Sequence, residues 1–439
     1  MLKLLQGLQD IRHGLWFVPA ILVTLAIFLA ALLVEFDATL GHDALAQWPR
    51  LFGAGAEGAR STLQTIAGAM VSVATLTFSI TVLVLSTAAT QYTPAVIRTF
   101  MASRPTQWVL GVFLGIFVYC LVVLRSIHGG DETFIPSLAV TFSLVLAVLG
   151  VGMLVYYIHH IASSIQASFI VSNVAEETIR AIDATYPELS QKESRPKSAG
   201  ATFSCRDCHQ VNAAHTGYLR TVDRKGVAAF ADRHGVTVQF IKKVGDFVIE
   251  DTTLALCDRE PDSRMQREFK DLYTVGHYRT VEQDIGVGIR QLVDIALRAN
   301  SPGVNDTSTA LLCIDYLGAV VIRLSSRDLG AKDKPAAEHL SEKEIVIMPD
   351  RTFNDFLSDV FDPLRCNAGD NIEVYVRLVD TLQLAADNVR NPAHRERLRT
   401  QLARVHEDAR ARITAPNQFA LISKALHGAG TPGALTNGP

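Results

Sequence analysis

Charge is missing from four long stretches of this sequence, and that absence decides its class. No Asp, Glu, Lys or Arg occurs between Leu15 and Val34, nor anywhere from Ser61 to Ile97. The run 106–125 is apolar up to Arg125, and 136–158 is again free of charge. A helix crosses a bilayer with about 20 apolar residues. Backbone groups in lipid can be satisfied only inside helices or closed barrels. The expected spans are therefore helices at about 15–34, 63–88, 106–125 and 136–158.

Other absences narrow the function. Proton- and ion-coupled pumps place Asp, Glu, Lys or Arg inside their spans; these spans hold none before Arg125 at the outer end of the third, which argues against a coupled transporter. There is no Lys/Arg run, and the net charge of the 439 residues is -3, so no nucleic-acid partner is expected. Six cysteines, widely scattered, do not make a disulfide scaffold. No phosphate loop, HExxH, GxSxG or strand-borne GxGxxG is present. The first apolar run ends in Glu35-Phe36-Asp37, not in a small-residue cleavage site, so it reads as an uncleaved anchor.

Four spans put both termini on one side. Lys3, Arg12, Arg98 and Arg104 fall on the terminal side, and Arg50, Arg60 and Arg125 on the other. This bias places the termini in the cytoplasm of a bacterial inner membrane. Trp16, Trp108 and Tyr156-Tyr157 suit the interfaces. His159-His160 closes the fourth span; two adjacent histidines face different directions on a helix, so they read as interfacial rather than as a metal pair.

The second span carries hydroxyls at heptad spacing: Thr65, Ser72, Ser79 and Ser86, with Thr75 beside them. Such a stripe can line a water-filled path, which makes these residues the candidate pore lining. The plainer reading is that it packs against another helix, as small residues commonly do in membranes. Gly111-Val-Phe-Leu-Gly115 matches GxxxG, a close helix contact.

Residues 1–186 read as the four-helix membrane domain, the last span running on as one helix through Ile161, Ile165, Phe169, Val174, Ile179 and Ile182. Residues 187–215 read as a linker, 216–262 as a small β-rich module, 263–415 as a helical soluble domain, and 416–439 as a disordered tail. The expected fold is thus a membrane α-helical domain plus a soluble α/β domain. The run Val244–Leu256, VGDFVIEDTTLAL, is similar to the turn of barrel-sandwich folds such as lipoyl domains. It has no lysine at the hairpin tip, so no swinging arm is inferred. Residues 326–344 read as a polar loop.

Two motifs in the soluble part invite chemistry. Cys205-Arg-Asp-Cys208-His209 spells CxxCH, the haem-attachment pattern, but on the side assigned to the cytoplasm, where haem is not attached. Cys205, Cys208, His209 and His215 have the right types for zinc at short spacing, without a second CxxC. Neither haem nor zinc is expected. The second motif joins Arg279, Thr280, Gln283, Asp284, Arg290 and Asp294 with Asn305 and Asp306, at the corner of a helical hairpin turned by Pro302-Gly303. These residues could form an acid/base or phosphate site, or serve as ion pairs and caps.

The second-span end TQYTPAVIRTF, the third span LGVFLGIFVYCLVVLRS and the run VGHYRTVEQDIGVGIRQLVDIALRANSPGVNDTSTALLCIDYL resemble a family of uncharacterised bacterial predicted membrane proteins, catalogued as a domain of unknown function. The resemblance runs from about residue 10 to 410 and departs from the family at Asn300 and Thr307. It implies four inner-membrane spans and a cytosolic C-terminal domain, and supplies no activity or cofactor.

Three function classes stay open: a passive, oligomeric channel gated by the cytosolic domain; a membrane-anchored sensor or scaffold binding a ligand or protein; and a membrane-tethered enzyme at the 279–306 corner. Each implies the bilayer as a partner, and the first a homo-oligomer.

Overall fold

A computed structural model describes residues 16–40, 55–91, 104–128, 134–164, 166–188, 208–279, 281, 284–329, 336–341, 344–348 and 351–428. The chain divides into two units, Met1–Phe169 and Ile170–Pro439. It is mostly helical, with small sheets in the second unit.

The first unit is built from four apolar helices: α1 (Phe17–Leu40), α2 (Ala56–Gln91), α3 (Arg104–Ser126) and α4 (Ser137–Ser164). Helix α3 is the hub. It packs against α1, α2 and α4 and buries Val109, Phe113, Ile116, Tyr119 and Val123. Glycine makes the closest approach: a Cβ on Gly111 would stand 3.0 Å from the Pro19 Cα and one on Gly115 3.6 Å from Ala26 Cβ, so the GxxxG pair forms the α1–α3 contact. At one end Asp37 accepts from the first backbone amides of α4, Leu138 at 3.2 Å and Ala139 at 3.1 Å. A carboxylate at a helix start satisfies donors that would otherwise be orphaned. At the same end Arg60 donates to the Ile127 carbonyl at 3.1 Å.

The expected extension of the fourth span as one helix is not what forms. Helix α4 ends at Ser164, and α5 starts anew at Ala167 and runs to Thr185.

In the second unit, β1 (His209–Asn212), β2 (Gly217–Val222), α6 (Arg224–His234), β3 (Val238–Phe240), β4 (Phe247–Val248), β5 (Thr253–Cys257), α7 (Ser263–Phe269) and β6 (Tyr273–Gly276) share one core. Leu219, Phe230, Val238, Phe240, Leu254 and Phe269 fill it. Asp223 caps α6 by accepting from Gly226, and Gly235 ends it in the left-handed region at φ 58. These strands fall into two sheets: β2 lies between β4 and β6 in one, and β5 lies between β1 and β3 in the other. β4 pairs with β2 and β5 with β3, so Val244–Leu256 is not a hairpin.

Part of the expected polar loop 326–344 is strand. β7 (Ala336–Ser341) and β8 (Glu344–Met348) pair antiparallel, and β8 then adds parallel to β3, with Val238 opposite Val346. The larger sheet thus runs β1-β5-β3-β8-β7. Nothing local in the sequence marks that long-range pairing.

The helical part holds α8 (Ile285–Ala299), α9 (Thr307–Ser325), α10 (Phe353–Cys366), α11 (Ile372–Asn388), α12 (Pro392–Arg412) and α13 (Pro416–Gly428). α13 occupies the start of the expected disordered tail and packs on α11 and α12. Among the described residues five helices are long and apolar enough to cross a membrane, one more than the four expected; the fifth is α9, Thr307–Ser325. Its apolar face has another use. Cys313, Ile314, Leu317, Val320, Val321 and Leu324 are buried within the second unit. Its charges are paired, Arg323 with Asp183 and Asp315 with Arg377.

Candidate functional site

The hydroxyls of α2 form the first candidate. An α-helix turns by about 100° per residue, so Thr65, Ser72, Thr75, Ser79 and Ser86 lie within roughly 40° of one line. The inward residues Leu63, Ile66, Met70, Ala74 and Thr77 lie on the opposite side and are buried. All five stripe residues are exposed. The stripe therefore does not pack against any other described helix of this chain, which corrects the packing reading for a single copy. Thr65, Ser72, Thr75 and Ser79 each donate to the carbonyl four residues back, at 2.8 to 2.9 Å. Their protons are committed, and their oxygens face outward as acceptors. From Thr65 to Ser86 the stripe is about 31 Å long at 1.5 Å per residue, close to the roughly 30 Å of a bilayer's hydrocarbon core.

The second candidate lies at the start of α8. Asp284 is the N-cap, accepting from Gly286 at 3.1 Å. Arg279 donates its Nε to Asp284 at 2.6 Å. Asp284 is 6% exposed, so its charge needs that partner. Gly245, at φ +94, lies so near that any β-carbon there would collide with the Asp284 carboxylate. Arg351, which the sequence did not single out, places its guanidinium where a side chain on Gly286 would go, lies 4.6 Å over Phe356 and pairs with Asp359. No spacing in the sequence signals Arg351, which sits 65 residues beyond Gly286.

The remaining members of that proposed corner are elsewhere. Arg290 and Asp294 pair with each other at 2.8 Å one turn apart. Burial pushes the Asp294 carboxyl up, with Arg290 opposing. Asp306 caps α9 through Thr309, and Asn305 takes a left-handed turn at φ 51. Asp284 and Asp306 flank opposite ends of the 15-residue α8, which is about 22 Å long. They cannot act on one substrate atom, so the corner is not one site. Thr280 and Gln283 lie outside the described residues. What forms is an internal ion pair and cap whose acceptors are already used.

The CxxCH segment fits a metal poorly. Cys205 lies outside the described residues, and the Cys208 sulfur is in a disulfide, which offers no thiolate. His209 opens β1, and His215 is exposed before β2. Among the described residues no three of His, Cys, Asp and Glu gather as a ligand set.

Comparison with known proteins agrees with the membrane architecture. The model of a family described as "Predicted membrane protein (DUF2254)" matches residues 12–384. An uncharacterized protein of Mycobacterium tuberculosis (strain CDC 1551 / Oshkosh) is 32% identical over 372 residues, covering 83% of this chain and 70% of its own. An uncharacterized protein of Mycobacterium bovis (strain ATCC BAA-935 / AF2122/97) matches with the same identity and coverage. No solved structure matches. Apolar helices of spanning length and a family match over most of the chain lead to one assignment: the protein belongs to the DUF2254 family of predicted membrane proteins.

Proposed function

We propose that this protein is an oligomeric, passive conduit of the bacterial inner membrane, with copies of α2 gathered so that their hydroxyl stripes face a shared path and with the C-terminal unit as gate. The observation that carries the reading is the stripe itself. It is polar, spans the bilayer thickness and lies opposite the face that α2 uses for packing within its own chain. Symmetric assembly of identical helices is a common way to build a pore. Outward hydroxyl oxygens can replace water around a solute without a fixed charge. The absence of Asp, Glu, Lys and Arg from the interior of the expected spans fits passive movement better than coupled transport.

The test is single-channel current from purified full-length protein in a planar bilayer, with voltage and tension varied. Discrete openings are expected, and Ser79→Leu should change their conductance while the protein still inserts. Silence under both stimuli, with folding and insertion verified, sinks the conduit.

A second reading, a membrane-anchored sensor or scaffold, is favoured by exposed Phe247, Ile249 and Tyr278 in and beside the three-stranded sheet. Ligand-dependent thermal stabilisation of the protein would support it; its absence across broad ligand and protein screens would count against it. Catalysis at Arg279 and Asp284 has no such support, because both groups are spent on each other and on the α8 cap.

The arginine asymmetry supports cytoplasmic termini. Cys366 is free and exposed, and can report which side is right. An impermeant maleimide should label it in inside-out vesicles and not in spheroplasts; the reverse pattern overturns the orientation.

A further inference from the structure

On the side of α2 away from the stripe, three oxygens crowd into one small space. Tyr157 of α4 and Thr77 of α2 are each 1% exposed. The Tyr157 hydroxyl donates to the Thr77 carbonyl at 2.9 Å. The Thr81 hydroxyl approaches the same carbonyl at 2.8 Å and the Tyr157 oxygen at 2.7 Å. Two hydroxyl protons thus serve three oxygen–oxygen contacts. That carbonyl is also the regular helical acceptor for the amide four residues on.

Thr77 shows a second irregularity. Its own hydroxyl is buried and has no hydrogen-bond partner. Thr62, Thr65, Ser72, Thr75, Ser79, Thr81 and Thr87 all return their hydroxyls to the carbonyl four residues back. Thr77, set among them, does not. Hydroxyls that compete for a helix carbonyl weaken the ladder and bend the helix. Anchoring also thins beyond this turn. Leu63, Ile66, Ala67, Met70 and Ala74 are buried before it, whereas from Val82 to Thr87 only Val84 is.

We propose that the Thr77–Thr81 turn is a hinge in α2, and that the Tyr157 hydroxyl is the latch holding the C-terminal segment of α2 against α4. The latch concerns the helix bundle alone and stands whether or not the protein carries current. Released, the segment carrying Ser86 would swing away from α4 while the half of α2 from Ala56 to Ala74 stays packed on α3.

Hydrogen exchange of the full-length protein in lipid nanodiscs tests this. Tyr157→Phe keeps the ring and removes the hydroxyl. Exchange over residues 82–91 should rise about tenfold, with peptides from α1 and α3 unchanged. An unchanged rate over 82–91, or an equal rise throughout the bundle, overturns the latch. If Tyr157→Phe fails to insert, Tyr157→Leu removes the same hydroxyl with a different apolar side chain and is judged by the same two outcomes.

Discussion

A β-carbon placed on Gly111 of α3 would stand 2.6 Å from Leu22 Cδ1 and 3.0 Å from the Pro19 Cα of α1. Leucine can turn aside, but the proline backbone cannot. Gly111→Val should therefore separate α1 from α3 and lower stability by roughly 1–3 kcal/mol, the usual range for overpacking. Thermal unfolding in detergent would show it. An unchanged melting temperature would mean that the two helices do not meet at Gly111.

A similar contact joins α5 to α8. A side chain on Gly288 would overlap the buried Thr178, whose hydroxyl bonds to the Val174 carbonyl. Gly288→Ala should destabilise the C-terminal unit, and adding Thr178→Ala should recover most of the loss. A double-mutant cycle by chemical denaturation measures the coupling, expected at about 1–2 kcal/mol. Simple additivity of the two changes would refute the contact.

Asp183 near the end of α5 receives Arg323 Nε at 2.6 Å and Arg327 Nη2 at 2.6 Å. Arg327 is 6% exposed and also reaches the Tyr186 carbonyl. Hydrogen bonding to Arg323, ahead of the charges of both arginines, holds the Asp183 carboxyl below its ordinary 3.8. A depressed carboxyl adds stability that is present above the ordinary value and is lost as pH falls through the folded one. Asp183→Asn should thus cost stability at neutral pH, and its difference from the natural chain should vanish under acid. A gap that persists at low pH would show that charge is not what Asp183 contributes. The side chain is 35% exposed, so about 1 kcal/mol is the expected scale.

Asp284→Ala should cost about 1–2 kcal/mol through the lost cap of α8, and more because Arg279 is left without its carboxylate. Gly245→Ala should weaken the same joint through its positive φ and its collision with Asp284. Urea denaturation of each variant decides. The pair holds the fold and touches no path or ligand in the proposed function. Any channel or binding activity should therefore survive in whatever fraction remains folded.

Much of the membrane unit was legible because hydropathy is a local property: each uncharged run forms a helix over its described residues. The GxxxG pair was legible for the same reason, since two glycines one turn apart invite a close neighbour. The break after Ser164 was not, because Ile161 through Ile182 keep a helical rhythm across it. α9 falls in the expected helical soluble domain, yet its length and hydropathy also suit a span, and those two properties alone do not separate a core helix from a crossing one. The corner at 279–306 failed as one site because its residues are close in sequence, while a 15-residue helix carries them apart. Arg351 was not legible because its neighbours lie on distant segments. The outward direction of the Ser/Thr stripe could not be read either: periodicity shows that a face exists, not what it faces.

The parallel pairing of β3 with β8 has a consequence in time. Val238 must wait for Val346, which is 108 positions later in the chain. At the usual 5–20 residues per second of synthesis, that wait is about 5–20 s. Until then β3 presents a free edge, open to any passing strand, in a chain already tethered to the membrane. The larger sheet is therefore completed only late in synthesis, and truncations that stop short of Met348 should leave it permanently unfinished.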